Sequence, residues 1–142
     1  MTLTLSAAQT IANAALAEAR SRNAKPLALI VLDAGGHPVA FAREDGATTF
    51  RFDIAKAKAT GALGMGVNTR ATAERAKANP LFYQSVTAVL EGRIAFSPGG
   101  VLIHHGGAVI GAVGISGDTG DCDEECAMAG IRAAGFDTEA KA

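Results

Sequence analysis

The sequence has few of the features that mark several large classes of protein. It has no tryptophan, one tyrosine and six phenylalanines, so it offers few rings on which nucleic-acid bases could stack. Its 13 basic residues are balanced by 14 acidic ones, and the resulting net charge of -1 lacks the basic excess that phosphate backbones require. Its two cysteines are too few for a disulfide framework. No apolar run approaches the ~18 residues of a membrane span, and the N-terminus lacks the basic-then-apolar order of a signal peptide. We therefore expect a cytoplasmic protein with no nucleic-acid and no membrane partner.

Small residues take up much of the chain. The 31 alanines and 17 glycines make up about a third of its 142 residues, so bulky core side chains are few. The length fits a single domain over residues 1–142. Because little apolar area is available per residue, an isolated monomer would be marginally stable and association would help it. We expect a homo-oligomer, a dimer or larger.

Hydrophobic periodicity and turn residues predict helices alternating with β-hairpins. A capping box at Ser6 and Gln9 opens the first helix, and Pro26 prevents its continuation. An Asp121–Glu124 capping pair opens the last helix, and Gly135 ends it. Between them we predict strands 27–33 and 38–44, helices 53–65, 69–78 and 80–91, and strands 93–96, 101–104 and 108–116. This order favours an α+β fold with an antiparallel sheet of about five strands flanked by helices.

Two further patterns concern packing. The apolar positions Phe82, Val86, Val89 and Leu90 predict the buried face of the helix over 80–91. Two glycines, 111 and 114, leave gaps on the surface of a predicted strand, and such gaps mark the close approach of another backbone or of a ligand.

Three motifs give the sequence a recognisable order and spacing. They are VLDAGGH at 31–37 with FAREDGA at 41–47, DIAKAKA at 53–59, and PGGV at 98–101 with GAVGISG at 111–117 and DEECA at 123–127. Over roughly residues 6 to 135 the chain resembles the GlcG/HbpS-like family, also called haem-degrading domains. The resemblance implies a profilin-like antiparallel sheet in a homo-oligomer. Members include a haem-binding redox-sensing partner, a glycolate-operon protein and a domain attached to corrinoid adenosyltransferases, so haem or a corrinoid is the cofactor that the resemblance implies.

Polar residues within these motifs are the candidates for chemistry. Arg43 presents a planar fork that suits a carboxylate, Asp45 could orient it or act as a base, and Lys58 could add a second positive charge. Asp123 and Glu124 are candidates for acid/base work if burial raises a pKa. A set of surface ion pairs that contributes about 0 to 1 kcal/mol is the simpler interpretation.

The segment from 116 to 125 joins a predicted strand to a helix N-terminus, where exposed N–H groups attract anions. Five acidic residues between Asp118 and Glu125 oppose an anion there. They are expected to cap the helix or to face Arg43, Arg51 or Lys58, and a hard cation held by residues 118, 121 and 123 is the remaining alternative. The candidate ligand-binding positions are His37, Arg43, Gly99, Gly100, Ser116 and Asp118.

Histidines and cysteines complete the candidates. His37, His104 and His105 lie at predicted hairpin turns and could each ligate a haem iron or corrinoid cobalt, although surface histidines are the simpler interpretation. The adjacent pair would point to opposite faces of a strand and could not easily share one metal. Cys122 and Cys126 lie four residues apart on a helix, a poor geometry for a disulfide, and are expected to be small buried thiols rather than a metal half-site or redox pair.

Two functions fit these observations. The first is a binding protein that holds a tetrapyrrole or a small carboxylate metabolite in a pocket near the subunit interface, lined by the glycine-bearing strand and Arg43. The second is a cofactor-independent catabolic enzyme, an isomerase, tautomerase or lyase, with Arg43 as anchor and Asp45, Lys58 or Asp123 as proton carriers. An interaction subunit without a ligand is a third and weaker alternative.

Overall fold

Two β-hairpins alternate with helices along residues 2–140, the part of the chain that a computed structural model describes. The elements are α1 (Leu5–Ser21), β1 (Ala28–Asp33), β2 (Pro38–Arg43), α2 (Arg51–Met65), α3 (Thr69–Ala78), α4 (Pro80–Val89), β3 (Gly100–His105), β4 (Ala108–Ser116) and α5 (Gly120–Ala133). This order confirms the expected α+β class. Within the described residues, no helix combines the length and the apolar character needed to cross a membrane.

The four strands form one antiparallel sheet in the order β2-β1-β4-β3. The two central strands pair along their whole common length, from Ala28 opposite Ser116 to Asp33 opposite Gly111. The fifth strand predicted at 93–96 is wrong, because that segment is irregular. Its Ile94 is buried against Gly61 of α2, where a Cβ on the glycine would lie 2.9 Å from the isoleucine side chain. The segment therefore packs on a helix instead of extending the sheet.

Both faces of the sheet are covered, which explains why β1 is apolar from Ala28 to Leu32. Leu29 and Val31 face α1 and α5, whereas Ile30 and Leu32 face α2. Gly114 of β4 lies directly beneath α2, and a Cβ there would come within 2.0 Å of the Ala55 carbonyl oxygen. The glycine gap in β4 is thus filled by a helix backbone, and α2 can approach the sheet closely for that reason.

Threonines cap the two helices for which capping pairs were predicted. The Thr4 hydroxyl accepts from the Ala7 N–H at 3.1 Å at the start of α1, and Thr119 accepts from Cys122 N–H at 3.2 Å at the start of α5. The expected caps at Ser6 and Asp121 are therefore wrong, since each helix begins earlier along the chain. At the other end of α5, Gly135 has a φ of +84°, which confirms it as the residue that ends the helix.

The predicted buried face of α4 is also wrong. Phe82 and Val89 are 52% and 75% exposed, and Val86 is only half-buried. The buried residue of this helix is Tyr83, whose ring packs edge-on against Phe96 with centroids 5.9 Å apart. The apolar residues of α4 are distributed around the whole helix, so their spacing could not show which side packs against the rest of the protein.

Candidate functional site

Arg43 lines an open cleft at the end of the sheet where α1 and β2 both finish. The cleft has a volume of about 440 Å³ and is lined by Arg20, Pro26, Arg43, Glu44 and Asp45. Pro26 lies in the link between α1 and β1, and the Glu44 carboxylate bonds to both ends of that link. It accepts from Arg20 Nε at 2.8 Å and from the Leu27 N–H at 3.0 Å. The charge of Arg20 is therefore already partnered.

Arg43 has no such partner. Across residues 2–140 its guanidinium forms no hydrogen bond or ion pair, and its side chain is exposed. Asp45 lines the same cleft but does not bond to Arg43, so the expected orienting contact is absent from the described residues. A free guanidinium at the wall of a cleft can receive a carboxylate in a bidentate pair, which is its strongest form of recognition.

Lys58 and Asp123 form a separate, buried ion pair. Lys58 is 3% exposed and Asp123 is 1% exposed, and Lys58 Nζ lies 3.2 Å from Asp123 Oδ2. The same ammonium donates to the Ile115 carbonyl oxygen at 2.9 Å. The carboxylate also accepts from the backbone N–H groups of Gly117 at 3.3 Å and Asp118 at 3.0 Å. The pair therefore joins α2, the end of β4 and α5.

Burial dominates the electrostatics of this pair. Desolvation lowers the pKa of Lys58 below 10.5, and the nearby Asp123 charge offsets part of that change. Desolvation likewise raises the pKa of Asp123 above 3.8, against the opposing effect of Lys58. Both shifts disfavour the charged forms, as expected for two ions taken out of water. Neither residue lines the Arg43 cleft.

The glycines at 99 and 100 belong to the surroundings of Lys58. Gly99 has a φ of +127°, and a Cβ there would lie 2.8 Å from Lys58 Nζ. A Cβ on Gly100 would lie 2.3 Å from the Lys58 carbonyl oxygen. These two positions give the chain room to pass α2, and a ligand would have to displace that contact to reach them.

Ser116 and Asp118 form hydrogen bonds that hold the loop after β4 in place. Ser116 is 1% exposed, and its hydroxyl accepts from Arg51 Nη1 at 3.2 Å. Asp118 accepts from the backbone N–H of Lys25 at 2.7 Å and of Thr119 at 2.8 Å. These bonds lower the pKa of the Asp118 carboxyl, and the bond from the Lys25 N–H has the largest effect. The two residues hold the chain in place and do not line the Arg43 cleft.

Several acidic residues at the start of α5 are paired with basic residues. Such pairing was one of the alternatives that the sequence left open for residues 118–125. Lys58 is one of the expected partners, but Arg43 and Arg51 are not bonded to these acids in the described residues. Sequence reasoning missed Arg70, whose Nε lies 3.1 Å from both carboxylate oxygens of Glu124. The remaining contacts are Arg70 with Asp121 and Arg22 with Glu125. No spacing in the sequence links α3 to α5, so no signal was present that could reveal this pair.

The histidines occupy three different environments. His37 is 80% exposed on the β1–β2 turn, and its Nδ1 lies 3.3 Å from Asp33 Oδ1. His104 is buried, and its backbone pairs with Asp137. His105 is exposed, with its ring edge-on to Phe136 at 5.4 Å between centroids. Within residues 2–140, His, Cys, Asp and Glu side chains nowhere gather in a group of three that could hold a metal ion.

The two cysteines are free thiols within α5. Cys126 is buried, and desolvation raises its pKa to about 12, with Cys122 adding to the shift. Desolvation also raises the pKa of the half-buried Cys122. Thiols that stay protonated at neutral pH are poor nucleophiles and poor metal ligands.

A groove beside β2, with both polar and apolar residues in its lining, was missed by sequence reasoning. It has a volume of about 460 Å³ and runs between α1 and β2, with Leu5 and Leu16 on the helix side and Val39 and Phe41 on the strand side. Which side of α1 faces this groove depends on how the helix lies across the sheet, and the sequence alone does not fix that placement.

Comparison with known proteins places these features in a family. Residues 3–132 match the family described as "Haem degrading protein HbpS-like". The chain belongs to this family. No curated protein matches the chain.

Several solved structures share the fold. The Klebsiella pneumoniae protein ORFY has a TM-score of 0.88 and 29% identity, over 95% of this chain and 92% of that one. HbpS has a TM-score of 0.80 and 29% identity, over 93% of this chain and 89% of that one. A PduOC:heme complex has a TM-score of 0.89 at 24% identity, over 97% of this chain and 99% of that one, and at this identity the likeness concerns the fold alone.

Proposed function

We propose that this HbpS-like protein binds a small ligand in the Arg43 cleft, held through a carboxylate or an amide oxygen that the guanidinium can contact. The ligand is a tetrapyrrole, haem or a corrinoid, or else a small carboxylate metabolite. The observation that carries the proposal is that Arg43, alone among the basic residues lining that cleft within residues 2–140, has no partner. The two haem propionates and a metabolite carboxylate present the same group to a guanidinium, so the cleft chemistry fits both.

Haem is supported by a second group. The Nδ1 atom of His37 lies against the Asp33 carboxylate, and this contact leaves Nε2 directed away from it and free to act as a ligand. An imidazole with a carboxylate on its other nitrogen is a common arrangement around bound metals. When bound, the haem would supply iron for ligand or electron chemistry. Within one subunit His37 and Arg43 lie at opposite ends of β2, six residues or roughly 20 Å apart, so a single haem would contact one of these side chains and not both.

The enzymatic alternative has less support. Two of its three proton carriers, Lys58 and Asp123, are bonded to each other out of contact with solvent, and neither lines the cleft. Asp45 is the candidate proton carrier that shares the cleft with Arg43. We therefore propose binding ahead of catalysis. We further propose that the protein acts in the cytoplasm as a homo-oligomer, which is supported by its alanine- and glycine-rich composition.

Titration with defined ligands tests this proposal. Hemin should give a sharp Soret band, and Arg43→Ala should weaken its affinity about 10- to 100-fold, as expected for the loss of a charge-assisted contact. The matched control is Arg75→Ala, because Arg75 is also exposed and without a partner in the described part of the chain. The control should bind as the wild type does.

Further arms distinguish the ligands. Hydroxocobalamin is measured by absorbance, and glycolate and succinate by calorimetry, with the same two variants. Binding of one acid with no hemin spectrum, lost in Arg43→Ala and retained in Arg75→Ala, would assign the cleft to a metabolite. If Arg43→Ala binds every probe as tightly as the wild type, or no probe binds at all, the proposal is overturned.

A further inference from the structure

A second cleft lies between α3 and the start of α5, and the proposed function makes no use of it. It has a volume of about 370 Å³, which is within the range of roughly 300–1,000 Å³ that is usual for small-molecule sites. Three segments form its walls: one face of α3, the irregular residues 96–98, and residues 119–121. Its lining residues are all different from those of the Arg43 cleft, so the two sites can be tested separately.

Contacts within the subunit hold the three walls of this cleft together. A Cβ on Gly120 would lie 2.8 Å from Pro98 Cδ, so the absence of a side chain there lets the irregular segment approach the first turn of α5 closely. The α3 wall is attached to α5 by Arg70, whose Nε lies 3.1 Å from both carboxylate oxygens of Glu124. The cleft is therefore formed by one copy of the chain.

Arg70 is held in one orientation and still has a free donor. Glu124 accepts from its Nε, and Asp121 accepts from its Nη2. Within residues 2–140 the third nitrogen, Nη1, has no hydrogen-bond partner, and the side chain is 46% exposed on the wall of the cleft. A guanidinium whose position is already fixed by carboxylates loses little conformational entropy when it binds a further anionic oxygen.

Opposite charges alternate along the face of α3 that lines the cleft. Arg70, Glu74 and Lys77 occupy positions i, i+4 and i+7, so they follow one another on one side of the helix. Neighbours of this kind have Cβ atoms about 5–6 Å apart. Glu74 is 63% exposed, and its contact with Lys77 at 3.3 Å is a surface ion pair, which is weak enough for the ammonium group of a ligand to replace it.

The charges around the cleft balance. Among the described residues that line it, Arg70 and Lys77 are the cations, and Glu74 and Asp121 are the carboxylates. A simple anion would meet both carboxylates, and a simple cation would meet the guanidinium and the ammonium group. A zwitterion carries both charges on neighbouring atoms, so it is the kind of ligand that this lining complements.

One wall of the cleft is aromatic. Phe96 is 36% exposed there, and its ring packs edge-on against Tyr83 of α4, with centroids 5.9 Å apart. Because Tyr83 is the buried residue of α4, this packing holds the Phe96 ring in place. A ring fixed in this way offers an apolar surface to the side chain of a ligand, and a second aromatic ring pairs with it favourably.

We propose that the cleft between α3 and α5 binds a free α-amino acid with an aromatic side chain. The carboxylate of the amino acid accepts from Arg70 Nη1, its ammonium group donates to Glu74, and its side chain packs against Phe96. An α-amino acid carries its two charged groups on one carbon, so they match an arginine and a glutamate that are neighbours on the helix surface. The inference does not depend on the proposed function, because the two clefts share no lining residue.

Calorimetry with four compounds tests the class of ligand. L-Phenylalanine should bind, whereas 3-phenylpropionate lacks the ammonium group, phenethylamine lacks the carboxylate and glycine lacks the ring. Each of these three should bind at least about 10-fold more weakly, because each loses one of the three contacts. If phenylalanine does not bind, or if either of the singly charged compounds binds as tightly as phenylalanine does, the proposal is overturned.

Glu74→Gln tests which residue meets the ammonium group. The change removes the charge at nearly constant size, so it should weaken phenylalanine binding about 10-fold and leave the weaker binding of 3-phenylpropionate unchanged. The matched control is Glu125→Gln, which alters an exposed α5 carboxylate that does not line the cleft and should bind both compounds as the wild type does. An equal loss for both compounds in Glu74→Gln, or no loss for either, would contradict the proposal.

Arg43→Ala separates this site from the first cleft. The carboxylate of phenylalanine could also meet the Arg43 guanidinium, so the titrations are repeated in this variant, where the affinity for phenylalanine should be retained. Loss of phenylalanine binding in Arg43→Ala would place the amino acid in the other cleft and exclude the site proposed here. Failure of hemin and of the metabolite acids to bind would refute the proposed function alone, since phenylalanine binding and its dependence on Glu74 are measured independently.

Discussion

Replacing Lys58 by methionine should destabilise the protein strongly at neutral pH. The substitution keeps the length of the side chain but leaves the Asp123 carboxylate, 1% exposed, with only two backbone N–H donors. Breaking a buried ion pair by removing one partner typically costs about 3–5 kcal/mol, because the other charge remains buried. A domain of this kind has about 5–15 kcal/mol of stability in total, so the loss is a large share of it.

The loss should depend on pH in a defined direction. Burial holds the pKa of Asp123 above 3.8 even with Lys58 present, and removing the cation raises it further. Between 3.8 and that raised pKa, the folded state binds more protons than the unfolded state. Stability therefore falls as pH rises through this window and stays low above it. We expect Lys58→Met to be least destabilised in acid, where the buried carboxyl is neutral.

Urea unfolding followed by circular dichroism at several pH values between 4 and 8 measures this effect. Asp123→Asn is the second arm, because the amide oxygen still accepts a backbone bond while the negative charge is removed. The double variant Lys58→Met/Asp123→Asn contains neither charge, so its loss at pH 7 should be well below the sum of the two single losses. Additive losses, or a Lys58→Met deficit that does not change with pH, would refute the reasoning.

Three further outcomes can be tested by the same unfolding measurements or by labelling. Gly114→Ala should destabilise by about 1–3 kcal/mol because its Cβ has no room beneath α2, whereas Gly64→Ala, in open space within the helix, should gain up to about 1 kcal/mol. Thr69→Val should cost about 1–3 kcal/mol by leaving a buried β3 N–H without its acceptor, whereas Thr72→Val should be neutral or stabilising, since that buried hydroxyl has no partner in the described residues. Cys126, with its pKa at about 12, should react with a thiol reagent at pH 8 at least about 100-fold more slowly in the folded protein than in urea.

Most of the fold could be predicted because its signals are local. The turns at residues 34–37 and 105–107 set the two hairpins, and α3 has the bounds that the sequence predicts, Thr69–Ala78. The strand predicted at 93–96 is wrong because several segments of the chain compete for the same edge of the sheet. Residues 93–96 have the composition of a strand, but the edge of β3 is already bonded to α3 and the C-terminal segment, so the segment packs on α2 instead. A single sequence does not contain the information that decides such competition.

The candidate site was harder to predict, because burial decides what a charged residue can do. Lys58 and Arg43 are both cations near related motifs, and the sequence assigned them to one site. The structure shows Lys58 at 3% exposure and bonded to Asp123, whereas Arg43 is exposed and unpartnered in the described part of the chain. Only the second can form a new contact with a ligand without breaking an existing one. In the sequence, charge and motif position give Lys58 and Arg43 the same support as ligand-binding residues. The difference in their burial appears in the three-dimensional structure alone.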